Sequence, residues 1–333
     1  MRCFRKLSVK EDDMKKIFVR DIKEQSEIVD FFLIKSINVR VDSRKKEYLD
    51  MILSDKTGEI SSKKWDLQEQ EKSNYGLLKV GDIIKVKANV NIWQGNSQLR
   101  ITKIRLSNEM DEIDKNDYIK AAPEDSNDMY EFIYSECENL QDSDFRKLTI
   151  KLLTDNRERL LYYPAAARNH HAEYGGLLYH MKRMLESGKK LCEIYKNLNK
   201  ELVITGVVIH DMEKLNEIDA DTNGIASGYS RDGKLLGHIP QGVKEIDKIC
   251  ERIGVPHEKA LLLEHMILSH HYEPEFGSPK KPMFPEAELL HYLDVLDARM
   301  FDMEEALEGI EPGTFTERVR VLDNRMLYKP TFK

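Results

Sequence analysis

The apolar residues of this 333-residue chain change their spacing once, and that change constrains the fold more than any other feature. Up to about residue 106 they come in short β-rich runs broken by turns, and from about residue 130 they recur at helical spacing. An acidic, polar stretch at residues 107–130 separates the two patterns. The sequence therefore predicts a multidomain chain, a small N-terminal all-β barrel followed by an all-α helical bundle. The boundaries fall at residues 1–14 for an N-terminal extension, 15–106 for the barrel, 107–130 for an acidic linker containing Pro123, and 131–325 for the helical domain.

Within the first domain, EIVDFFLIKSINVRV, YLDMILSDKTGEISSKKWDL and VGDIIKVKANVNIWQGNSQLRITKIRL supply roughly five strands, with turns at Asp-Lys-Thr-Gly and at Gly95-Asn96. Five short strands in such a span fit an OB-type barrel, with an SH3-like barrel or small sandwich as the alternative. Residues 15–106 carry six more Lys and Arg than Asp and Glu, against a net charge of −7 for the whole chain, so the front is basic and the body acidic. That asymmetry suits a polyanion docking at the front. Trp65 and Trp93, close to Lys63, Lys64 and Arg100, are candidates for base stacking in a charged groove, although core packing explains a tryptophan equally well. Phe32 reads as core, and the alternating Lys85, Lys87, Lys103 and Arg105 as a charged strand face.

No apolar run approaches the length of a membrane span. The residues MRCFRKLSVK lack a signal-peptide core, so a cytoplasmic location is expected. The four scattered cysteines suit free thiols in a reducing compartment.

Every one of the ten histidines lies between His170 and His291. The segment VVIHDMEKL ends an apolar run on adjacent His210 and Asp211, with Lys214 one turn later, and groups so costly to bury require a partner. Histidine or aspartate also borders apolar helix at His180, at His270 and His271, and at His291, Asp294 and Asp297, while His238 stands at a helix entrance. A single histidine is ordinarily a hydrogen-bonded core or surface residue; several on converging helices can hold a metal. Mixed imidazole and carboxylate donors suit manganese, iron, cobalt or zinc better than magnesium or calcium. His270 and His271 point about 100° apart on a helix, so both can ligate only if the helix ends there or if two metals are present.

The order H…HD…H…HH…D resembles the HD-domain metal-dependent phosphohydrolases. With NHHAEYGGLLYH, IHDMEKL, GHIPQG, ILSHHYEPEFGSPKKP and EAELLHYLDVLDARM behind an OB-like segment, the chain is similar to the YhaM-type 3′→5′ exoribonucleases of Gram-positive bacteria over nearly all of residues 15–320. The resemblance implies that His180, His210, Asp211 and Asp294 hold one divalent ion, probed first as manganese, with iron or cobalt as alternatives. It implies that His238, His270 and His271 hold a second ion, with Asp211 as the bridge. It places Asp294 rather than Asp297 in the last ligand position, puts Lys214 where the family has its HDIGK lysine, and sets His170 and His171 near the substrate. Glu213 departs from the pattern by replacing a glycine. His257 and Glu173 read as surface residues, and His265 and His291 either as partners of ligands or as plain helix residues.

The expected activity is hydrolysis of single-stranded RNA, with single-stranded DNA as a second candidate, to nucleoside 5′-monophosphates by attack of a metal-activated hydroxide, Asp211 and Lys214 serving the chemistry. A cyclic-dinucleotide or nucleotide phosphodiesterase is the rival enzyme. FGSPKKP stands where the HD-GYP group carries its own motif, and a strand-binding barrel has no use for so small a substrate. A non-catalytic single-strand-binding replication factor is the third reading, and the filled ligand positions oppose it. A homo-oligomer stays open, and no membrane partner is expected.

Overall fold

A computed structural model describes residues 15–22, 26–65, 67, 75–93, 96–108, 110–114, 117–167 and 171–332. The 1–14 extension, Gly95 of the expected turn and His170 lie outside the described residues. The chain divides into two compact units, 1–121 and 122–333.

The first unit is a closed five-stranded barrel of order β1-β2-β3-β5-β4, formed by β1 (Glu27–Val41), β2 (Glu47–Asp55), β3 (Gly58–Lys64), β4 (Ile83–Trp93) and β5 (Asn96–Leu106). Closure depends on the length of β1. Its first half pairs with β4 from Glu27 to Leu33, its second half pairs with β2 from Leu33 to Val41, and a register shift between Ile34 and Ser36 bends it from one partner to the other. The barrel closes through the parallel β3–β5 pairing. Phe32, Ile34, Leu49, Met51, Leu53, Ile84, Val86, Leu99 and Ile101 fill its interior, as the alternation of these strands dictates. Phe31 is also fully buried, outside that core, under Lys85 and Arg105 at 4.8 and 5.6 Å from its ring. Part of the charged strand face thus covers an aromatic ring.

The helical unit comprises α1 (Ser126–Glu138), α2 (Ser143–Leu160), α3 (Gly176–Ile194), α4 (Lys200–Ile209), α5 (Lys214–Glu217), α6 (Arg231–Leu236), α7 (His238–Ile253), α8 (His257–Ser269) and α9 (Pro285–Leu307). Helix α1 starts inside the stretch read as linker, because Asp125 accepts hydrogen bonds from the backbone N–H groups of Asn127 and Asp128 and caps it. The unit is not purely helical: β6 (Ile218–Ala220) and β7 (Ala226–Tyr229) form a small antiparallel hairpin. Its turn uses Gly224 at φ 73°, a signal present in the sequence as Asp-Thr-Asn-Gly.

Helix α4 is the axis of this unit. Every residue from Leu202 to Ile209 is buried, and α1, α2, α3, α8 and α9 all pack on it. A helix apolar on all sides has to be surrounded. Gly206 makes room, since a Cβ there would lie 2.1 Å from the Met266 methyl carbon. The wrapping of α4 decides where its C-terminus, with His210 and Asp211, ends up. Among the described residues no helix is long and apolar enough to cross a membrane.

On α9, burial and then nearby Glu305 push the Asp302 carboxyl up to about 6. A carboxyl raised on folding stabilises below its unfolded value and loses that contribution as pH rises through 6. Asp302→Asn is therefore expected to raise the melting temperature of the helical unit at pH 8 and to leave it nearly unchanged at pH 4. Melts followed by circular dichroism check this, and an equal shift at both pH values would contradict it.

Candidate metal centre

Four helix ends converge on the Asp211 carboxylate. His210 is the C-cap of α4 and Asp211 follows it; Lys214 opens α5; His238 is the first residue of α7; His270 is the C-cap of α8. From within helices, α3 contributes His180 and α9 contributes Asp294. Around Asp211 Oδ2, His210 Nε2 lies at 3.3 Å, His180 Nε2 at 3.6 Å and Lys214 Nζ at 2.6 Å. Around Oδ1, His238 Nε2 lies at 3.4 Å and His270 Nε2 at 3.9 Å. Asp294 Oδ1 stands 3.5 Å from His180 Nε2. Helix α8 ends at Ser269, which frees His271 from the 100° offset, and His238, His270 and His271 offer nitrogen atoms within 4.8 Å of one another. His180, His210 and Asp211 form a second such set.

The imidazoles share one orientation. His210 Nδ1 donates to the Val207 carbonyl at 2.8 Å, His270 Nδ1 to the Ile267 carbonyl at 2.7 Å and His271 Nδ1 to the Phe276 carbonyl at 2.7 Å. A carbonyl only accepts, so each Nδ1 carries the proton, and the neutral ring keeps its lone pair on Nε2. His238 Nδ1 bonds the Glu217 carboxylate at 2.9 Å, and His180 Nδ1 bonds Asp297 at 2.7 Å. The Nε2 atoms of His180, His210, His238 and His270 and the Oδ1 of Asp211 are buried without a hydrogen-bond partner. Five such atoms facing one another cost far more than a fold tolerates unless a cation satisfies them.

Charge favours the same outcome. Burial opposes ionisation of Asp211, but His210 and the Lys214 ammonium outweigh it and hold the carboxyl well below the usual range. Burial also opposes a charged His210, and Asp211 outweighs it to raise the His210 pKa, so a cation on His210 Nε2 would take the place of a proton there. Burial likewise opposes a charged Lys214, and Asp211 and Asp294 outweigh it to keep the ammonium protonated. Burial, reinforced by His271, holds His270 well below an ordinary histidine, so it is neutral and able to ligate.

Known proteins match both units of the chain. One family model, an OB-fold nucleic acid binding domain, matches residues 34–107, and another, the HD domain, matches 177–299. The chain is 41% identical over 312 residues to the 3′-5′ exoribonuclease YhaM of Geobacillus sp. (strain WCH70), covering 94% of each. It is 37% identical over 318 residues to the proteins of that name from Bacillus licheniformis and Bacillus velezensis, covering 96% of this chain and 99% of each relative. The chain belongs to the YhaM 3′-5′ exoribonuclease family. Against that family, the expected ligand residues all lie in the one cluster, and the expected nucleic-acid residues divide.

On the barrel, Tyr48 and Trp65 stack at 4.2 Å and 24°, with Lys63 Nζ 5.6 and 5.7 Å from their ring centres. Lys63 pairs in register with Arg100, which is exposed, and Trp93 is 63% exposed. Neither tryptophan belongs to the buried core of the barrel. Lys64 does not join this face. It is buried, and its Nζ donates to the Trp65 carbonyl at 3.3 Å. The strand alternation held the signal: Ile60 and Ser62 point inward, so Lys64 must as well.

His171, expected near the substrate, is fully buried and bonds Asp297, so it is closed to a strand; Glu173, read as a surface charge, is buried too. His257 is exposed as expected. His291 Nδ1 donates to the His270 carbonyl at 2.7 Å, whereas His265 Nε2 accepts the Met283 N–H at 3.0 Å. Asp297, which the sequence offers as the rival of Asp294, holds the rear nitrogen of His180, and Glu217, which no sequence motif marks, holds that of His238.

Proposed function

We propose that this protein removes nucleotides from the 3′ end of single-stranded RNA and releases nucleoside 5′-monophosphates. What carries the reading is the set of buried, unpaired Nε2 atoms facing a single carboxylate. His180, His210, Asp211 and Asp294 would hold one divalent cation, and His238, His270 and His271, sharing Asp211, a second. With nitrogen and oxygen donors mixed, manganese is the first choice, ahead of iron or cobalt. Such cations supply Lewis acidity, activating water and neutralising phosphoryl charge. Lys214, fixed through its 2.6 Å contact with Asp211, counters negative charge growing on the phosphoryl oxygens as the leaving group departs. The Tyr48–Trp65 stack with Lys63 and Arg100 would bind the strand by base stacking and phosphate contact. Stacking does not read a 2′-hydroxyl, so this face is expected to accept single-stranded DNA as well.

Manganese and a 5′-labelled single strand test the proposal. The expected result is a ladder shortening from the 3′ end, abolished by a chelator, with 5′-monophosphates as products. Cleavage of a cyclic dinucleotide without strand shortening would overturn it. Trp65→Ala should weaken strand binding by about 1–3 kcal/mol, while a small phosphodiester such as bis(p-nitrophenyl) phosphate is hydrolysed at the wild-type rate. Unchanged strand affinity would remove Trp65 from the binding face.

A further inference from the structure

Asp297 lies one turn beyond Asp294 on α9, but it meets His180 from behind. Its Oδ2 accepts His180 Nδ1 at 2.7 Å and His171 Nε2 at 2.8 Å, and its Oδ1 accepts Arg183 Nε at 2.6 Å. Three donors on one ionised carboxylate leave it no freedom to rotate. They also require His180 to present its N–H rearward, which turns the Nε2 lone pair towards Asp211 and Asp294, at 3.6 and 3.5 Å.

His171 is an unusual residue for such a place. It adopts a left-handed backbone at φ 53°, a conformation that costs a side chain of this size energy. Its ring packs 4.0 Å from Phe301 and meets Tyr179 edge-on at 5.5 Å. Its carbonyl accepts the Ala165 N–H at 3.0 Å and fills the space beside Gly176, where a Cβ would come within 2.1 Å of that oxygen. These contacts hold His171 where its Nε2 reaches Asp297.

We propose that His171 is a positioning residue: through Asp297, and with Arg183, it locks His180 in the tautomer and orientation that a cation requires, without touching the RNA. That role presupposes the proposed cation on His180. Removing partners that orient metal ligands ordinarily lowers affinity 10–100-fold.

The test is manganese binding to the full chain, stripped by chelator and titrated calorimetrically, for wild type, His171→Ala, His171→Gln and Asp297→Asn. His171→Ala should weaken manganese binding by about 10–100-fold and raise the manganese concentration for half-maximal RNA hydrolysis by the same factor. At saturating manganese the KM for RNA should match wild type. His171→Gln, whose amide can still donate to Asp297, should recover part of the affinity. If His171→Ala does not fold, Asp297→Asn, which keeps one acceptor oxygen, carries the same expectation. Unchanged manganese affinity in these variants would overturn the role, as would a raised KM for RNA with unaltered manganese dependence. A wild-type protein that binds no manganese, iron or cobalt would overturn the proposed function with it; a wild type that binds, with variants equal to it, would overturn the positioning role alone.

Discussion

Asp211→Asn is expected to lower RNA hydrolysis on the order of a thousand-fold or more and to abolish stoichiometric metal binding, while leaving strand affinity unchanged. Asparagine keeps the size and one acceptor oxygen, so the substitution tests charge rather than shape. Asp211 faces four imidazole Nε2 atoms at 3.3–3.9 Å and one ammonium at 2.6 Å. Its two oxygens face both sets of histidines, and its charge offsets that of Lys214. With a neutral amide there, two cations and a buried lysine would be left with Asp294 as the carboxylate that faces them, an imbalance the low-polarity interior penalises heavily. Strand binding, proposed for the barrel face, should not respond. Metal content of the purified variant, its rate on labelled RNA and its strand affinity measure the three arms. A variant as active as wild type would remove Asp211 from the site and with it the proposed chemistry. A variant that also loses strand affinity would show instead that the site, not the barrel, holds the RNA.

The sequence was most legible where the required chemistry is adjacent in the chain. His210 with Asp211, and His270 with His271, are paired by the peptide bond itself, and a single condition, that α8 stop at Ser269, lets the second pair share a site. Residues that orient the ligands were hidden because no local pattern reports them. Asp297 meets His180 across 117 positions, and Glu217 meets His238 across 21. Helical spacing says that Asp294 and Asp297 lie near one another on α9, not that one meets Nε2 and the other Nδ1 of the same imidazole. His171, expected near the substrate, instead lies buried against Asp297, and no local pattern reports either that contact across 126 positions or the left-handed backbone at φ 53°. Lys64 differs in kind: period-two alternation from Ile60 already excluded it from the outer face, and the charge of KK concealed a register that the apolar residues set.

The barrel contains a charged feature that strand patterning does not report, and it should prove the more fragile part of that unit. Lys15 has a side chain 1% exposed, beside an Asp55 side chain at 0%. Its ammonium sits 3.2 Å from Asp55 Oδ2, donates to the Phe31 carbonyl at 2.8 Å and lies 4.1 Å from the Phe32 ring centre. Asp55 accepts the Val19 N–H at 2.7 Å, and Asp30 accepts those of Lys16 and Ile17 at 2.8 and 2.6 Å, so the segment before β1 is sewn to the barrel through these carboxylates. Burial lowers the Lys15 pKa in spite of both aspartates, so the pair as a whole is costly to bury. Breaking such a pair from one side is worse than never having it, because the remaining charge stays buried. Lys15→Met should therefore destabilise the barrel by about 3 kcal/mol or more, whereas Lys15→Met with Asp55→Asn should recover part of the loss. Both tryptophans of the chain, Trp65 and Trp93, lie in the barrel, so their fluorescence during urea unfolding reports on this unit alone. Circular dichroism at helical wavelengths should show the second unit unfolding at its wild-type midpoint. If the fluorescence midpoint of Lys15→Met matched wild type, the backbone N–H donors would be enough to hold Asp30 and Asp55, and Lys15 would contribute packing but no charge balance.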